Sequence, residues 1–212
     1  DGRTARFVPA PGVSGRATFE YTAADPAHGA GFGPVTVPVL VVAPNTAPGL
    51  VVPSSCDVIA GATLAFSALG WDGDQPPQSL AFALADPPAG AAIDPESGMF
   101  VWRPTIAQAG TTNAVEVLVH DKGTPPLAAS RSVAIVVRWP AQPAVEEISL
   151  ADGRIRLVVS GDVGPDYHFQ TSSDLAVWQT AFVAEAPQLP LEWTDPESLA
   201  GESRFYRLVL GP

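Results

Sequence analysis

Apolar residues recur at every second position through most of this chain, and this alternation limits what it can fold into more than any other feature. The alternating apolar sets are Ala17/Phe19/Tyr21, Val35/Val37/Val39/Val41, Leu64/Phe66/Ala68, Val115/Val117/Val119, Ile155/Leu157/Val159 and Tyr206/Leu208/Leu210. A period of two places these side chains on one face of a strand, and the residues between them face the other way. No stretch shows the spacing of an amphipathic helix. The sequence therefore predicts an all-β protein of antiparallel sheets.

Two proline-rich segments divide the chain. They read APNTAPG at residues 43–49 and WPAQPA at residues 139–144. Proline has no backbone N–H to donate, so neither segment can be a central strand. Short strands between Pro- and Gly-rich turns are typical of β-sandwiches. The sequence predicts three modules: residues 1–44, residues 45–139 and residues 140–212.

The first predicted module is too short for a complete sandwich. Residues 1–44 offer three strands, Arg3–Val8, Arg16–Ala23 and Val35–Val42, whereas a sandwich of this kind has about seven. All three strands are amphipathic and need a second layer to cover the apolar face. We expect residues 1–44 to be the C-terminal part of a sandwich. The preceding part of the same precursor, or another chain, would complete it.

Charge and motif content exclude several functions. The chain has 11 basic and 22 acidic residues, for a net charge of −11, which argues against a nucleic-acid surface. No apolar run is long enough to span a membrane. The three histidines are isolated, and there is no HExxH, CxxC or GxSxG motif. The sequence therefore predicts neither a zinc site nor a catalytic nucleophile, and the chain is not expected to be an enzyme.

Longer phrases resemble known families. FVPAPGVSGRATFEYTAAD at 7–25 is similar to the second half of bacterial cadherin-like and immunoglobulin-like tandem repeats. NTAP, DGDQPP, PAGAAIDPESGMFVWRPT and VLVHDKGTPPLAASRSVAIVV, within 45–138, resemble the cadherin-like, putative immunoglobulin-like repeats of large secreted bacterial proteins. YHFQTSSDLAVWQT and RFYRLVLGP, within 145–212, resemble a fibronectin-type-III-like C-terminal module.

The resemblance implies tandem Ig-, cadherin- and fibronectin-like sandwiches at the surface of a bacterial cell or outside it. Such modules act as non-catalytic stalks, or in adhesion or protein interaction, at the C-terminal end of large proteins. Two other roles stay open. One is a carbohydrate-binding accessory region of an extracellular enzyme, and the other is a structural subunit of an extracellular assembly.

Calcium is the one cofactor that the resemblance implies. Cadherin-like repeats hold Ca²⁺ between successive domains, and the matching positions here are Asn45, Asp72, Asp74 and Asp121. The chain departs from the family pattern because Gly70 stands where an Asp is usual, and Asn45 has no carboxylate beside it. Solvated turn residues without a metal are the alternative, since Ca²⁺ needs six to eight oxygens.

Single residues carry the remaining predictions. Trp71 lies in a turn-rich acidic loop, where it could bind a sugar ring or fold over the end of the sandwich. Cys56 is the only cysteine; it could pack as a small hydrophobe or bridge to another chain. Trp178 is expected in the core of the last module. The middle module is expected to have seven strands. Its predicted core consists of Phe66, Phe82, Phe100, Trp102, Val117 and Ile135.

Overall fold

The computed structural model describes residues 6–10, 13–24, 27, 31–197 and 203–212. The regular secondary structure of this part of the chain is strand, apart from a short 3-10 helix at Ile106–Gln108. The predicted fold class, all-β with tandem antiparallel β-sandwiches, is confirmed. No sheet of the described residues crosses either proline-rich segment. The described residues include no helix long and apolar enough to cross a membrane.

The first segment is a hairpin. Strands β1 (Gly15–Ala24) and β2 (Gly31–Val41) pair antiparallel, with Phe19 opposite Val37. The predicted strand Arg3–Val8 is wrong over residues 6–8, which are not in a strand, and its other residues lie outside the described part. The Phe7 ring nevertheless stacks on the Phe19 ring, with centroids 6.2 Å apart. The hairpin keeps the alternation that its sequence predicts.

The middle segment forms three sheets around one core. Its strands are β3 (Gly49–Val51), β4 (Ser55–Ile59), β5 (Leu64–Ser67), β6 (Leu69–Trp71), β7 (Ala81–Ala85), β8 (Ala92–Ile93), β9 (Met99–Trp102), β10 (Thr112–His120) and β11 (Ala128–Arg138). The sheet orders are β4-β11-β10-β7, β5-β9-β8 and β3-β6. All pairs are antiparallel except β4 with β11.

The predicted core of the middle segment is confirmed, but its predicted seven strands are wrong. Phe100, Trp102, Val117 and Ile135 are fully buried, Phe82 is buried, and Phe66 packs against them half-buried. The structure has nine strands, and one of the two additional strands arises because the chain changes sheets at Ala68. The Ala68 N–H donates to the Gly98 carbonyl, so β5 pairs within one sheet and β6 within another.

The last segment has two sheets of three strands. Its strands are β12 (Ala144–Ala151), β13 (Arg154–Ser160), β14 (Asp166–Ser172), β15 (Gln179–Ala184), β16 (Leu191–Thr194) and β17 (Phe205–Gly211). The sheet orders are β12-β13-β16 and β15-β14-β17. Leu157, Val159, Tyr167, Phe169 and Trp193 form the buried core between them.

Trp178 does not lie in that core, so its predicted place is wrong. Trp178 precedes β15 and is therefore outside the alternation of that strand. The Trp178 indole N–H donates to the Leu175 carbonyl. The Arg207 guanidinium lies 4.3 Å from the centroid of the Trp178 ring, at the surface. Trp193 of β16 supplies the core indole instead; it contacts the Phe169 ring at a centroid distance of 5.0 Å.

Candidate functional site

Three loops meet at the end of the middle sandwich that faces the hairpin, and they bring the predicted calcium residues together. Asn45 comes from the first proline-rich segment, Asp72 and Asp74 from the loop after β6, and Asp121 from the end of β10. The Asn45 amide donates to a carboxylate oxygen of Asp121 over 2.8 Å and to the Pro125 carbonyl over 2.9 Å. The site is therefore a set of side chains tied to one another.

Asp121 is the buried member of the set. One of its carboxylate oxygens accepts the backbone N–H groups of Leu127 and Gly123, at 2.8 and 3.1 Å, and the other accepts the Asn45 amide. Burial opposes the charged form, but these hydrogen bonds outweigh it and lower the pKa of Asp121. Asp121 therefore stays ionised and holds the β10–β11 turn in place.

Gln78 joins the remaining members, and no motif of the sequence predicts it. Its side-chain amide donates to the side-chain Oδ1 of Asn45 over 2.6 Å and to a carboxylate oxygen of Asp74 over 3.2 Å. The Asp74 carboxylate also accepts the backbone N–H and the hydroxyl of Thr46, each at 2.8 Å. Only the loop geometry places Gln78 here. A chain of hydrogen bonds therefore runs from Asp121 through Asn45 and Gln78 to Asp74, and we call it the amide relay.

A Ca²⁺ ion takes six to eight oxygen ligands, and few oxygens of this set are free to bind one. Two buried acceptors, one oxygen of Asp72 and the carbonyl oxygen of Gln78, have no partner among the described residues. The carboxylates of Asp121 and Asp74, however, already accept several donors from the chain. Within the described residues, no three His, Cys, Asp or Glu side chains converge on one point. Donors of the chain already occupy the Asp74 and Asp121 carboxylates, and the two unpartnered oxygens are too few for a cation that takes six to eight oxygens, so this set does not fit Ca²⁺.

A cavity of about 610 Å³ opens beside the relay. Leu40, Val42 and Pro76 line its apolar side, and Asn45 and Lys122 belong to its polar side. The cavity therefore lies between the last residues of the hairpin and the end of the middle sandwich.

Trp71 ends strand β6 and is exposed over 57% of its surface. It pairs with Gly49 of β3, and the indole lies against that glycine, where a Cβ would collide with the ring. Leu69 and Val51, which are paired with each other, are exposed beside it. The ring is therefore supported from below and open to solvent, as a sugar-stacking residue needs to be.

The middle and last sandwiches are joined by Arg103, which follows β9. Its guanidinium donates to the Gly61 carbonyl over 2.6 Å, to the Gly164 carbonyl over 3.0 Å and to the Asp166 carboxylate over 2.7 Å. A Cβ on Gly164 would collide with Ala62, and the φ of Gly164, +122°, also favours glycine. The two surfaces are thus in close contact around one charged pair.

Asp166 has a lowered pKa at this joint. Burial opposes its charge, but the hydrogen bond from Arg103, the N–H of Ala186 and the charge of Arg103 outweigh it. The Asp166 carboxylate accepts one donor from each sandwich, Arg103 from the middle one and the Ala186 N–H from the last one. The ionised form of Asp166 therefore favours the contact between the two sandwiches.

A second buried carboxylate, Asp195, lies in the last sandwich and has no motif that would reveal it. It accepts Arg204 Nε over 2.6 Å, the Tyr206 hydroxyl over 2.8 Å and the Glu197 N–H over 3.0 Å. Burial, followed by the interaction with Asp195, raises the pKa of Tyr206 to about 12. This network ties the end of β16 to β17 and is fully partnered, so it has no free group for chemistry.

Cys56 lies half-buried in β4 and packs against the middle core. Burial and the neighbouring charge of Asp57 raise the pKa of its thiol. A thiol with a raised pKa is a poor nucleophile, which agrees with packing as a small hydrophobe. A bridge to another chain stays a prediction.

No protein-family profile matches this chain, and no curated protein matches it. Among solved structures, the chain is similar to EC21–23 of human CDH23, with 18% identity, 92% of this chain and 73% of that chain covered, and a TM-score of 0.40. It is similar to mouse cadherin-23 EC22–24 at 17% identity, covering 78% of this chain and 65% of that one, with a TM-score of 0.39.

A third similar structure is a nucleoside hydrolase-related hypothetical protein from Saccharophagus degradans, associated with carbohydrate metabolism. The identity is 20%, the TM-score is 0.34, and 44% of this chain is covered. This chain spans about a quarter (26%) of that protein's length. Likeness at this level carries no argument about function, and the fold class rests on the sheets themselves.

Proposed function

We propose that this chain is a set of non-catalytic β-sandwich modules with an adhesion or protein-interaction role, outside the cell or at its surface. The observation that carries the proposal is the uncovered apolar face of the hairpin β1–β2. On one face Ala17, Phe19, Val37 and Val39 are only half-buried, and Tyr21 is exposed. No strand outside the hairpin pairs with it in the described part of the chain.

An uncovered face of this kind favours association. Full burial of each large apolar side chain contributes about 1.5–3 kcal/mol, and unpaired strand edges add hydrogen-bonding capacity. We therefore propose that strands from outside the hairpin complete it, supplied by the preceding part of the same precursor or by another chain. The secreted bacterial setting is part of this proposal, and it is supported by the repeat-like phrases of the sequence.

Hydrogen exchange on the purified monomer tests the proposal. Backbone amides of β1 and β2 should exchange at least about a hundredfold faster than those of β10, because no second layer holds the hairpin closed. Equal protection of β1, β2 and β10 in a monomeric sample would show that the hairpin is self-sufficient, and it would overturn the interaction role proposed for it.

Polysaccharide binding is the second candidate, and the exposed Trp71 ring on Gly49 favours it. A planar indole that is supported on one face can stack on a sugar ring with its other face. The test is a pull-down on insoluble polysaccharides, comparing the unchanged chain with Trp71→Ala and with Trp139→Ala. Trp139 is also exposed but lies at the far linker, so it serves as the matched control. Binding that falls only with Trp71→Ala supports this role, and the absence of binding by the unchanged chain removes it.

A further inference from the structure

The two outer faces of the middle sandwich differ in charge. Strands β3, β5, β6, β8 and β9, which form one face, contain no charged residue. The outer side of the opposite sheet, β4-β11-β10-β7, carries Asp57, Glu116 and Arg138. The whole chain has a net charge of −11. One face of this sandwich is therefore neutral within an acidic protein.

The neutral face is also apolar and continuous. Strands β5 and β6 follow each other in one extended run, Leu64–Trp71, in which Ala68 is buried between them. Pairing places β9 on one side of this run and β3 on the other. Contiguous exposed apolar side chains of this kind mark interaction sites. The exposed residues, which we call the outer stripe, are Ala65, Ser67, Leu69 and Trp71 of the run, Met99 and Val101 of β9, and Val51 of β3.

Side-chain size changes along the outer stripe, with Ala68 at the centre. Leu69 and Trp71, one and three residues after Ala68, are large, and each is more than half exposed. Ser67 and Ala65, one and three residues before it, are small. A two-fold axis across the strands at Ala68 exchanges position 69 with 67 and position 71 with 65. Every large side chain of one copy then meets a small one of the other, as a self-complementary interface requires.

We propose that two copies of this chain pair through their outer stripes, with the strands antiparallel about a two-fold axis at Ala68. The Trp71 ring of one copy lies on Ala65 of the second copy, next to Val101, which is paired with Ala65. Facing sheets pack about 10 Å apart with interdigitating side chains. Gly49 supports the Trp71 ring from its own sheet, so the ring is in position before the copies meet.

Charge favours this face over the charged outer side of β4-β11-β10-β7. Two chains of net charge −11 repel each other, and like charges brought together in an interface oppose binding. The neutral face adds no charged residue of its own strands to the contact.

The size of the face sets the expected strength of the dimer. The face is roughly 26 Å long and roughly 14 Å wide, from the strand rise and the strand spacing. Its footprint of roughly 400 Å² per copy is about half of what each partner contributes to a standard interface. The dissociation constant should therefore lie above about 1 μM, and it should fall as added salt screens the repulsion.

Sedimentation equilibrium on the full chain tests the proposal with a matched pair of variants. Val101→Glu places a charge in the outer stripe, and Val136→Glu places one on the opposite outer face, where the valine is similarly exposed (37% against 41%). The unchanged chain should form dimers that dissociate on dilution. Val101→Glu should raise the dissociation constant at least about tenfold, whereas Val136→Glu should change it less than about twofold.

A charge exchange tests the two-fold axis itself. Trp71→Lys and Ala65→Glu should each weaken the dimer at least about tenfold. An equimolar mixture of the two variants should dimerise again, because the introduced lysine of one chain meets the introduced glutamate of the other. Within one chain the two positions are about 20 Å apart, so recovery requires a second copy. Melting temperatures identify any variant that is misfolded, and Leu69→Glu then replaces it.

Four results would overturn the proposal. They are a monomer at all concentrations, assembly that continues beyond a dimer, equal effects of Val101→Glu and Val136→Glu, and a mixture of Trp71→Lys and Ala65→Glu that stays monomeric. The interaction role proposed for the hairpin is independent of this dimer, because hydrogen exchange in the monomer tests it. Polysaccharide binding is measured separately with the Ala65→Glu chain, which keeps the Trp71 ring.

Discussion

The middle and last sandwiches are built from the same alternating strands but are closed to different degrees. In the middle one, three sheets surround Phe100 and Trp102, and both aromatic side chains are fully buried. In the last one, two three-stranded sheets bury Tyr167 and Phe169 yet leave Ile148 and Leu150 of the inner phase in solvent. Alternation therefore shows which side chains face inward, but whether anything covers them depends on how many strands are present.

The largest effect should come from the closed core. Changing Trp102 to Ala should lower the free energy of unfolding by about 3–5 kcal/mol, because it leaves a cavity that surrounding strands cannot fill. The Trp102 indole also donates to the Ala89 carbonyl over 3.1 Å, and that bond would be lost. Urea denaturation measures the change, with unfolding monitored by circular dichroism because this signal does not depend on the removed tryptophan. A loss below about 1 kcal/mol would contradict the buried position of Trp102.

The next prediction compares two directly opposed residues in the last sandwich. Leu157→Ala should cost about 2–5 kcal/mol, whereas Ile148→Ala should change stability by no more than about 0.5 kcal/mol, as expected for an exposed position. Both variants are measured by urea denaturation at the same protein concentration. Equal losses at the two sites would show that β12 is covered within a single chain, and the last sandwich would then be as closed as the middle one.

Arg103 links the two sandwiches, and its removal should separate their unfolding. We expect Arg103→Ala to lower stability by about 1–2 kcal/mol, since the guanidinium makes charged hydrogen bonds but is one-third exposed to solvent. Calorimetry should show one transition in the unchanged chain and two in the variant. Arg138→Ala removes a well-exposed pair with Asp57 and serves as the control. Two transitions in the unchanged chain would show that Arg103 does not couple the modules.

The same joint should respond to acid. The pKa of Asp166 is lowered in the folded chain, so its ionised form contributes stability above the unfolded value of about 3.9. That contribution is lost as the pH falls through the lower folded value. Melting temperatures from pH 6 down to about 2 should therefore fall less steeply in Arg103→Ala than in the unchanged chain. Parallel curves for the two proteins would contradict a role of this pair in the pH dependence.

The smallest effect is expected from calcium. The amide relay already occupies the carboxylates of Asp74 and Asp121. The melting temperature in about 1 mM Ca²⁺ should therefore equal the melting temperature in EDTA. Differential scanning fluorimetry makes the comparison. A rise in melting temperature with Ca²⁺ that disappears in Asp121→Asn would restore the calcium site predicted from Asn45, Asp72, Asp74 and Asp121.

Part of the candidate site was predictable from sequence. Asn45, Asp72, Asp74 and Asp121 were expected at one end of the middle module, and the structure joins Asn45 with Asp121 and Asp72 with Asp74 by hydrogen bonds. Gln78 was not predicted, because nothing in the order of residues shows that the loop after β6 turns back toward Asn45. The tryptophans show the same limit: Trp102 lies within a strand and was placed correctly, whereas Trp178 lies just outside one and was not.

Strand periodicity is a local property, so the sequence was enough to determine the all-β class, the inward phase of the strands whose alternation it shows, and the proline-rich interruptions. A side chain's face follows from its immediate neighbours, since the backbone alternates every residue. Cover and contact are properties of segments far apart in the chain. The exposure of Ile148, the Arg103 joint and the relay through Gln78 depend on which strands meet and in what register. Those pairings follow from the packing of the whole chain, so only the tertiary structure could decide them.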